Sequence, residues 1–543
     1  MGLHYFFRNA GLALALGYGV LAQAEPAPAP VQTPSFTIER FNVLGNKLIL
    51  PADIDVALQG FTGAERTFAD VQRAVEALEN LYRRSGYTTA YVAVPEQELN
   101  KGVVHLRVVE GRIAKVLVEG NQVFSEENIR ASLPALRENE SPMAMRLSEN
   151  IQLANENGSK QIEVVLAAGE AEGEINARIK VKDEKPWRVF STFDNTGSEA
   201  TGQHRLGVGF QHDNLFDADQ TLSLAYAMSP DKPESTKVDV YSLGYRIPLY
   251  RLGDSIDFLY ANSTVDVPST SPSLAGALGI VGRGNIYSLR YNWLMPRQGE
   301  YASRVIFSLD ERNMESSCKS AGQQLVGVAG CEPYRVRPLT ASYAGRWERP
   351  SQIASFGIGL SRNIAASSND SYYLASGGRD APNYFTVARA NFGLAQALPA
   401  DWQIRVAGQG QWSKDALVPT EQLGIAGSLA VRGFTERAVA LDTGYFVQSE
   451  LYTPDLAALT SAPGSFRALA FYDAGAGRNV GVPSALQSNS AISSAGLGLR
   501  YVYAKSFNWR LDLAHIIDSQ ANTSNGDPID TGWRGHFSLT VGF

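Results

Sequence analysis

The stretch Thr221-Leu-Ser-Leu-Ala-Tyr-Ala-Met228 alternates large apolar residues with small or polar ones. The same alternation returns in Trp402-Gln-Ile-Arg-Val-Ala407 and in Trp509-Arg-Leu-Asp-Leu513. Successive side chains of a β-strand point to opposite faces, so each stretch predicts a strand with one apolar and one polar face. Between Trp187 and Phe543 we count roughly sixteen such segments, separated by turn residues.

Repeated segments of this kind are typical of a transmembrane β-barrel, although the strands of a soluble β-sandwich alternate too. The final strand, Phe537-Ser-Leu-Thr-Val-Gly-Phe543, ends on an aromatic residue and resembles the recognition signal of outer-membrane barrels. Many Tyr, Trp and Phe residues also lie near strand ends. We therefore predict a membrane all-β fold with a 16-stranded barrel over residues 186–543, wide enough to hold an aqueous channel.

The composition agrees with a folded protein, and nucleic acid is not expected as a partner. Hydrophobic residues make up 44% of the 543 residues and charged residues 19%, and the formal net charge is −7 without a block of Lys or Arg. Beyond the N-terminus, we find no uncharged apolar run near the roughly 20 residues of a membrane-spanning helix. A membrane protein of this composition must therefore be a barrel.

The N-terminus predicts export from the cytoplasm. A short region with His4 and Arg8 precedes the apolar stretch Ala10–Leu21, and Ala22-Gln-Ala24 fits a signal-peptidase site. We assign residues 1–24 to a signal peptide and residues 25–34 to a Pro-rich spacer. A membrane anchor is the alternative, but the apolar stretch is short for one.

The chain has two cysteines, Cys318 and Cys331, in a stretch rich in Gly and Ser. In an oxidising compartment this spacing predicts one disulfide that holds a long loop. Two free thiols are the alternative. A metal site is not expected, because no histidine lies nearby.

Residues 35–111 are predicted to form a small α/β module. A strand covers residues 36–43, a short helix residues 52–58, and two strands follow at Thr88–Val94 and Val103–Val109. A longer helix starts at a capping-box-like pair of Thr67 with Asp70 and stops at Gly86. Its apolar face is formed by Phe68, Val71, Val75, Leu78 and Tyr82.

The pattern then repeats weakly over residues 112–185. Gly120-Asn121 echoes Gly45-Asn46, and Ser125 is placed to cap a helix that carries Ile129 and Leu133. Further predicted elements are the strand 113–118, a helix over 145–154, and the strands 161–166 and 174–181. Each unit is large enough to pack one sheet on two helices.

The first module resembles a known family. Its run Leu81-Tyr-Arg-Arg-Ser-Gly-Tyr87, then Pro95, Gln97 and Gly102, and finally Val109-Glu-Gly111 are similar to the polypeptide-transport-associated (POTRA) domain of two-partner secretion transporters, also called haemolysin activation/secretion proteins. The second module, which ends in Ile179-Lys-Val-Lys-Asp-Glu-Lys-Pro186, resembles the same family. Two generic α/β binding modules are the alternative.

A pair of motifs in the barrel region extends the resemblance. Val431-Arg-Gly-Phe434 lies in one long connection between strands, and Phe471-Tyr-Asp-Ala-Gly475 lies in a later strand. Asp194-Asn-Thr-Gly197 and Asp213-Asn-Leu-Phe216 also look like the start of the family's barrel. A surface loop with an incidental Arg-Gly-Phe is the alternative.

The resemblance implies a role for each residue of the loop. In the family the loop folds back into the barrel, so Arg432 would pair with Asp473, Gly433 would allow a tight turn, and Phe434 would pack against the wall. Phe471 and Asp473 share one face of their strand, so Asp473 points inward only if Phe471 does. Well-known members carry an N-terminal plug helix. The spacer here is too short and Pro-rich for one, and the loop would do more of the sealing.

Neither catalysis nor a cofactor is expected. The sequence lacks a Walker loop, G-x-S-x-G and H-E-x-x-H, and its six histidines show no metal-ligand spacing.

The resemblance implies two-partner (type V) secretion. The POTRA domains in the periplasm would capture one large unfolded exoprotein, and the barrel would conduct it across the outer membrane. Other expected partners are outer-membrane lipid and the barrel-assembly machinery that inserts the protein. The alternatives are a barrel-assembly factor of the same superfamily, which would insert other barrels, and a passive porin, against which the two modules argue.

Overall fold

The computed structural model describes the chain in the ranges 34–98, 101–197, 201–231, 238–264, 283–315, 318–320, 323–325, 332–364, 366–457, 463–483, 488–504, 506–521 and 532–543. The chain divides into two compact units, one of Met1–Leu81 with Val92–Val108 and one of Tyr82–Tyr91 with Val109–Phe543. Among the described helices, none has the length and apolar character that a bilayer crossing requires. The predicted signal peptide and the spacer up to residue 33 lie outside the described residues.

The elements of the first α/β module are β1 (Phe36–Ile38), β2 (Arg40–Leu44), α1 (Pro51–Leu58), β3 (Gly63–Arg66), α2 (Phe68–Arg84), β4 (Tyr91–Ala93) and β5 (Val103–Val109). They include a three-stranded sheet in the order β2-β5-β4, with β2 parallel to β5, and a separate pair of β1 with β3. The predicted strand over 36–43 is therefore two strands. The chain changes partner at Glu39, whose backbone N–H donates to the carbonyl of Gly102 at 2.7 Å.

Helix α2 begins at the predicted cap. The backbone N–H of Thr67 donates to the Asp70 carboxylate at 2.8 Å, and its hydroxyl donates to the same oxygen at 2.9 Å. These two bonds lower the pKa of Asp70. Ala74 and Leu78 are buried, but Phe68 is 60% exposed. Its assignment to the buried face was wrong, because Phe68 is the first residue of the helix and the buried row starts a turn later.

The elements of the second α/β module are β6 (Arg112–Glu119), α3 (Glu126–Ala131), α4 (Ala144–Ala154), β7 (Lys160–Ala168) and β8 (Glu174–Asp183). Its three-stranded sheet has the same arrangement as the first, in the order β6-β8-β7 with β6 parallel to β8. The Ser125 side chain caps α3 by accepting from the backbone N–H of Asn128. Buried Ile113, Ile129 and Ile179 form part of its core.

The repeated Gly-Asn pair has the same structural role in both modules. Gly45 and Gly120 have positive φ angles of 87° and 90°. A Cβ atom there would come within 2.4 Å of the carbonyl oxygen of Val108 and within 2.5 Å of that of Val181, respectively. Only glycine permits both this backbone conformation and this close approach to the central strand of each sheet, β5 or β8.

The rest of the chain forms a closed antiparallel barrel. Its strands are β9 (Trp187–Asp194), β10 (Arg205–Leu215), β11 (Gln220–Met228), β12 (Asp239–Leu249), β13 (Asp254–Ser263), β14 (Gly284–Gln298), β15 (Tyr301–Met314), β18 (Tyr334–Val336), β19 (Pro338–Arg349), β20 (Gln352–Asn363), β21 (Thr386–Ala397), β22 (Gln403–Trp412), β25 (Thr443–Tyr452), β26 (Ser465–Arg478), β27 (Asn489–Tyr503), β28 (Phe507–Gln520) and β29 (Trp533–Gly542). Because β18 and β19 are two parts of one strand that both pair with β15, the described residues form 16 strands, and the predicted fold is confirmed.

The described parts of the connections contain two small hairpins and one α-helix. They are β16 (Cys318–Ser320) with β17 (Gln323–Leu325), β23 (Leu423–Gly424) with β24 (Ala440–Leu441), and α5 (Asn369–Ala375). Cys331 lies outside the described residues, so its disulfide with Cys318 stays a prediction.

The barrel strands have the two faces that the alternation predicts. Leu224 and Leu513 are 40% and 49% exposed on the outside, whereas Asp512, between two outward leucines of β28, is buried inside. The final strand closes the barrel by pairing Ser538–Gly542 with β9.

The second module is bonded to one end of the barrel. Lys160 is fully buried there and donates to Asp219 in the turn after β10 at 2.5 Å and to Asn128 at 2.9 Å. Burial lowers the pKa of Lys160, against the attraction of Asp219. Ser159 donates to Asp213 at 2.7 Å, so the Asp213-Asn-Leu-Phe216 motif forms part of this junction.

Candidate functional site: a loop inside the barrel

Residues 413–442, between β22 and β25, form a loop that packs inside the barrel. Its backbone is ordered by the pair of β23 with β24 and by hydrogen bonds from Ile425 N–H to the Val439 carbonyl (3.0 Å) and from Val431 N–H to the Ile425 carbonyl (2.9 Å). These apolar side chains cluster with residues of the barrel wall, namely Phe446, Ile492 and Ile516. The loop therefore has a small apolar core shared with the wall, and the alternative of a surface loop does not hold.

Gly433 and Phe434 form the tip of this loop. Gly433 has a φ of 96°, and a Cβ atom there would lie 3.2 Å from Ile516 Cγ1 on the wall. Its N–H donates to Nε2 of His536 on β29 at 2.9 Å. Phe434 is 2% exposed and belongs to the shared apolar cluster. Any larger residue would strain this turn and crowd the narrow gap beside β28.

Arg432 is fully buried and bonded to the wall through Asp473. Its Nε and Nη2 donate to the two carboxylate oxygens of Asp473 at 2.6 and 2.8 Å, and its backbone N–H adds a third bond at 3.2 Å. This is the two-pronged geometry in which guanidinium–carboxylate bonds are strongest. The structure thus brings together the two residues that the sequence motifs single out.

Two further acids complete the surroundings of Arg432. Its Nη1 donates to Glu450 at 2.7 Å and to Asp512 at 3.4 Å. Arg500 lies 2.8 Å from Asp512 and 3.6 Å from Glu450, and Arg510 lies 3.5 Å from Asp512. Three arginines therefore balance three carboxylates, so the buried network has no large excess of charge. We call these six residues the Arg432 network.

The Phe-x-Asp-x-Gly motif supplies the wall side of the contact. Phe471 is 5% exposed and points inward with Asp473, whereas Tyr472 is 51% exposed on the outside. The Arg432 guanidinium lies 3.6 Å from the centre of the Phe471 ring, a cation–π contact. A Cβ atom at Gly475 would lie 3.2 Å from Val431 Cγ2. The three inward positions of the motif, Phe471, Asp473 and Gly475, therefore all face Val431 or Arg432 of the loop.

A second anchor holds the start of the loop. The Glu421 carboxylate is buried and accepts from Arg312 on β15 at 2.7 Å and from Arg389 on β21 at 3.0 Å. Arg312 also pairs with Asp310 at 2.9 Å. Glu421 therefore connects the loop to two strands of the wall, β15 and β21, that do not carry residues of the Arg432 network.

A third anchor lies at the end of the loop. The buried carboxylate of Asp442 pairs with Arg379, which follows α5, and accepts from the backbone N–H of Leu417 at 3.1 Å. Tyr372 of α5 and Leu417 belong to one apolar cluster at the end of the barrel away from the second module. Both stems of the loop are thus tied to the wall and to neighbouring loops.

Sequence reasoning identified the Arg432–Asp473 pair but missed Glu450, Asp512, His536 and the Glu421 and Asp442 anchors. Asp512 could have been found, because an acid between the outward residues Leu511 and Leu513 must point into the barrel. Glu421 and Asp442 lie in irregular chain, where no periodicity fixes the direction of a side chain.

Comparisons with known proteins agree with this architecture. The family model described as "Haemolysin secretion/activation protein ShlB/FhaC/HecB" matches residues 173–501, and that of "POTRA domain, ShlB-type" matches residues 36–111. The chain is 25% identical to the hemolysin transporter protein ShlB of Serratia marcescens, over 79% of this chain and 74% of that one. It is 22% identical to the heme/hemopexin transporter protein HuxB of Haemophilus influenzae (strain 86-028NP), over 89% and 83%.

A solved structure has the same fold. CdiB from Escherichia coli superimposes with a TM-score of 0.73 at 17% identity, covering 96% of this chain and 93% of that chain.

Proposed function

Because this chain belongs to the haemolysin secretion/activation protein family, we propose that it is the outer-membrane transporter of a two-partner secretion system and passes one large exoprotein to the cell exterior. The observation that carries this proposal is a loop inside the barrel, held at three places by buried ion pairs. A passive pore needs no such loop, whereas a gated channel for an unfolded chain needs an obstacle that can move.

We propose the same domain boundaries that the sequence predicts. Residues 1–24 serve as signal peptide and 25–34 as spacer. Residues 35–111 and 112–185 are two POTRA domains in the periplasm, and 186–543 form the barrel. The POTRA-type match over residues 36–111 and the shared strand order of the two modules support this division.

In this proposal the Arg432 network holds the loop in the position that closes the channel. Burying several charges costs desolvation energy that their attraction repays only in good geometry, so such a network fixes a position more than it adds stability. A loop held in this way has a closed arrangement that a client can displace once its own binding energy offsets the lost contacts. The glycine tip and the narrow gap beside Ile516 make that arrangement unique.

The POTRA domains act as the receptor for the client. In the described sheets β2 and β4 flank β5, and β6 and β7 flank β8, so each sheet ends in two edge strands. An extended, unfolded chain can add to such an edge through main-chain hydrogen bonds, which tolerate many sequences. No catalytic step is part of this mechanism.

Contacts with outer-membrane lipid and insertion by the barrel-assembly machinery are further parts of the proposal. The exposed apolar outer face supports the lipid contact, and the aromatic C-terminal strand supports the use of the assembly machinery.

Comparison of secreted and outer-membrane proteins from cells with and without the gene tests the proposed function. We expect one large secreted protein to disappear while other barrels keep their abundance. A general loss of other barrels would overturn the proposal in favour of an assembly factor.

A further inference from the structure

Three arginines form a spread cluster on the outside of the barrel, on two adjacent strands near its extracellular end. Arg335 and Arg337 reach towards β15, and Arg362 reaches towards β21. Arg335 is in β18, Arg337 joins β18 to β19, and Arg362 is near the end of β20. The residues that alternate with the first two, Tyr334 and Val336, are buried on the inner side. The three guanidinium groups therefore face away from the channel and are not used by the loop.

The arginines lie directly beyond the apolar belt. Leu339 and Leu360 are 52% and 56% exposed on the outer face, where the barrel meets hydrocarbon. Arg337 is the next outward position after Leu339 towards the extracellular end, and Arg362 is the next after Leu360. The cluster is thus at the depth where lipid headgroups begin.

Aromatic residues on neighbouring strands mark the same depth. Tyr287 stands directly opposite Glu311 in the pairing of β14 with β15. The Thr386 hydroxyl accepts a hydrogen bond from Arg362 at 3.2 Å. Ala388 is the next outward position of the same strand towards the periplasm, and Trp412, which is 56% exposed, stands directly opposite Ala388. Tyr and Trp on the outside of a barrel concentrate at the membrane–water interface.

The three arginines carry more positive charge than their one carboxylate partner neutralises. Glu311 accepts from Arg337 at 2.8 Å and lies 3.5 Å from Arg335, whereas the contact of Arg362 is with a neutral hydroxyl. In these contacts the three guanidinium groups share a single carboxylate, which neutralises one of their three positive charges. Guanidinium groups bind phosphate oxygens in the same two-pronged way as carboxylates.

We propose that Arg335, Arg337 and Arg362 form a binding site for the phosphate groups of an outer-leaflet lipid. The inference rests on the outer-membrane location of the barrel and not on secretion. A bound anionic lipid would hold together three strands, β15, β18/β19 and β20, beside the wall that carries Arg312 of the Glu421 anchor.

The test measures binding of bisphosphorylated lipid A, and of the same lipid without phosphates, to the full-length detergent-solubilised protein by native mass spectrometry. We expect the wild type to retain the phosphorylated lipid at least about tenfold more tightly. Equal binding of both lipids would overturn the proposal, and this comparison requires no variant. Inorganic phosphate at the same concentration distinguishes the sources: binding of phosphate as tight as that of the lipid would overturn a lipid site.

Variants locate the site. The triple variant R335Q/R337Q/R362Q should lose the preference for the phosphorylated lipid, and Arg362→Gln alone should reduce it. Arg349→Gln is the matched control, because Arg349 pairs with Glu300 at 2.7 Å at the opposite, periplasmic end of the same strands. Loss of the preference in the control as well, or its persistence in the folded triple variant, would overturn the assignment.

Discussion

At the scale of single residues, Arg432 is the main contact between loop and wall, a buried guanidinium surrounded by three carboxylates and an aromatic ring. Asp473 alone occupies both prongs of the guanidinium, and the remaining nitrogen reaches Glu450. The side chain therefore cannot be replaced by another cation with fewer donors without loss of contacts.

Arg432→Ala is expected to leave the barrel in the outer membrane and to reduce secretion strongly. Removing the cation leaves three buried acids with too little compensation, a cost of about 3–5 kcal/mol against the closed position of the loop. Heat-modifiable gel mobility reports the folded barrel, and immunoblotting of the culture medium reports secretion. Arg432→Lys keeps the charge but not the fork, and should lie between wild type and Arg432→Ala. Normal secretion by the alanine variant would contradict the role of the residue.

Gly475 gives a second test at this scale. A methyl group there would lie 3.2 Å from Val431 Cγ2 and 3.1 Å from Phe446 Cβ, so Gly475→Ala crowds the loop by a few tenths of an ångström. We expect overpacking to cost about 1–3 kcal/mol and to increase cleavage of the loop by protease in the purified protein. Gly299→Ala, at a turn with open space around it, controls for the loss of a glycine, although its φ is positive too. Unchanged protection of the loop in Gly475→Ala would show that this contact is dispensable.

At the scale of elements, the loop 413–442 behaves as a small folded unit attached at both stems. The hairpin of β23 with β24 and the shared cluster with Ile492 and Ile516 give it a core of its own. The Glu421 and Asp442 anchors then fix its two ends to different strands. Release of the tip alone can therefore leave the stems in place.

Glu421→Gln tests the stem. The amide keeps the size of the side chain but leaves Arg312 and Arg389 without their shared carboxylate, which should weaken the stem by about 3–5 kcal/mol. We expect more frequent opening of the pore in planar lipid bilayers, with the barrel folded as in wild type. Glu348→Gln, which removes an exposed carboxylate paired with Arg346 at 3.2 Å, should leave conductance unchanged. An equal rise in both variants would exclude a specific role for the stem.

Much of the element pattern was predictable from the sequence, for reasons that single residues make clear. The barrel strands were predicted from period-two alternation of apolar and polar residues. The equivalence of Gly45 and Gly120 was recognisable because both positions need a backbone conformation that only glycine readily adopts. The split of the first strand at Glu39 was not predictable, because it depends on a hydrogen bond to the distant Gly102. The partners Glu450 and His536 were missed for the same reason, since their contact with the loop depends on how it folds inside the barrel.

At the scale of the whole second unit, the POTRA-like module and the barrel share a buried polar junction. Lys160 bonds to Asp219, whose carboxylate also accepts from Tyr250 at 2.5 Å, and Glu156 pairs with Arg304 at 2.6 Å. A client that binds this module is therefore brought to a fixed position at the mouth of the barrel.

Lys160→Ala should loosen this junction. The substitution leaves Asp219 buried without its cation, at a cost of about 3–5 kcal/mol. Cleavage of the chain near residue 186 by limited proteolysis is expected to become faster, while the barrel stays protected. Lys182→Ala, at an exposed position of the same sheet, should behave as wild type. Identical cleavage rates for the two variants would mean that the buried lysine does not hold the junction.

For the client to pass, the loop must leave its place in the barrel. Gly433 and Ser494 on β27 are suited to a reversible lock, because their Cβ atoms would lie 3.7 Å apart, within the range of a disulfide. The measurement is secretion by a G433C/S494C variant in which Cys318 and Cys331 are replaced by serine, with both single-cysteine variants as controls for the strain at Gly433. We expect the oxidised double variant to insert but not to secrete, and a reductant to restore secretion to the level of the single variants. Secretion at that level with the disulfide intact would contradict it.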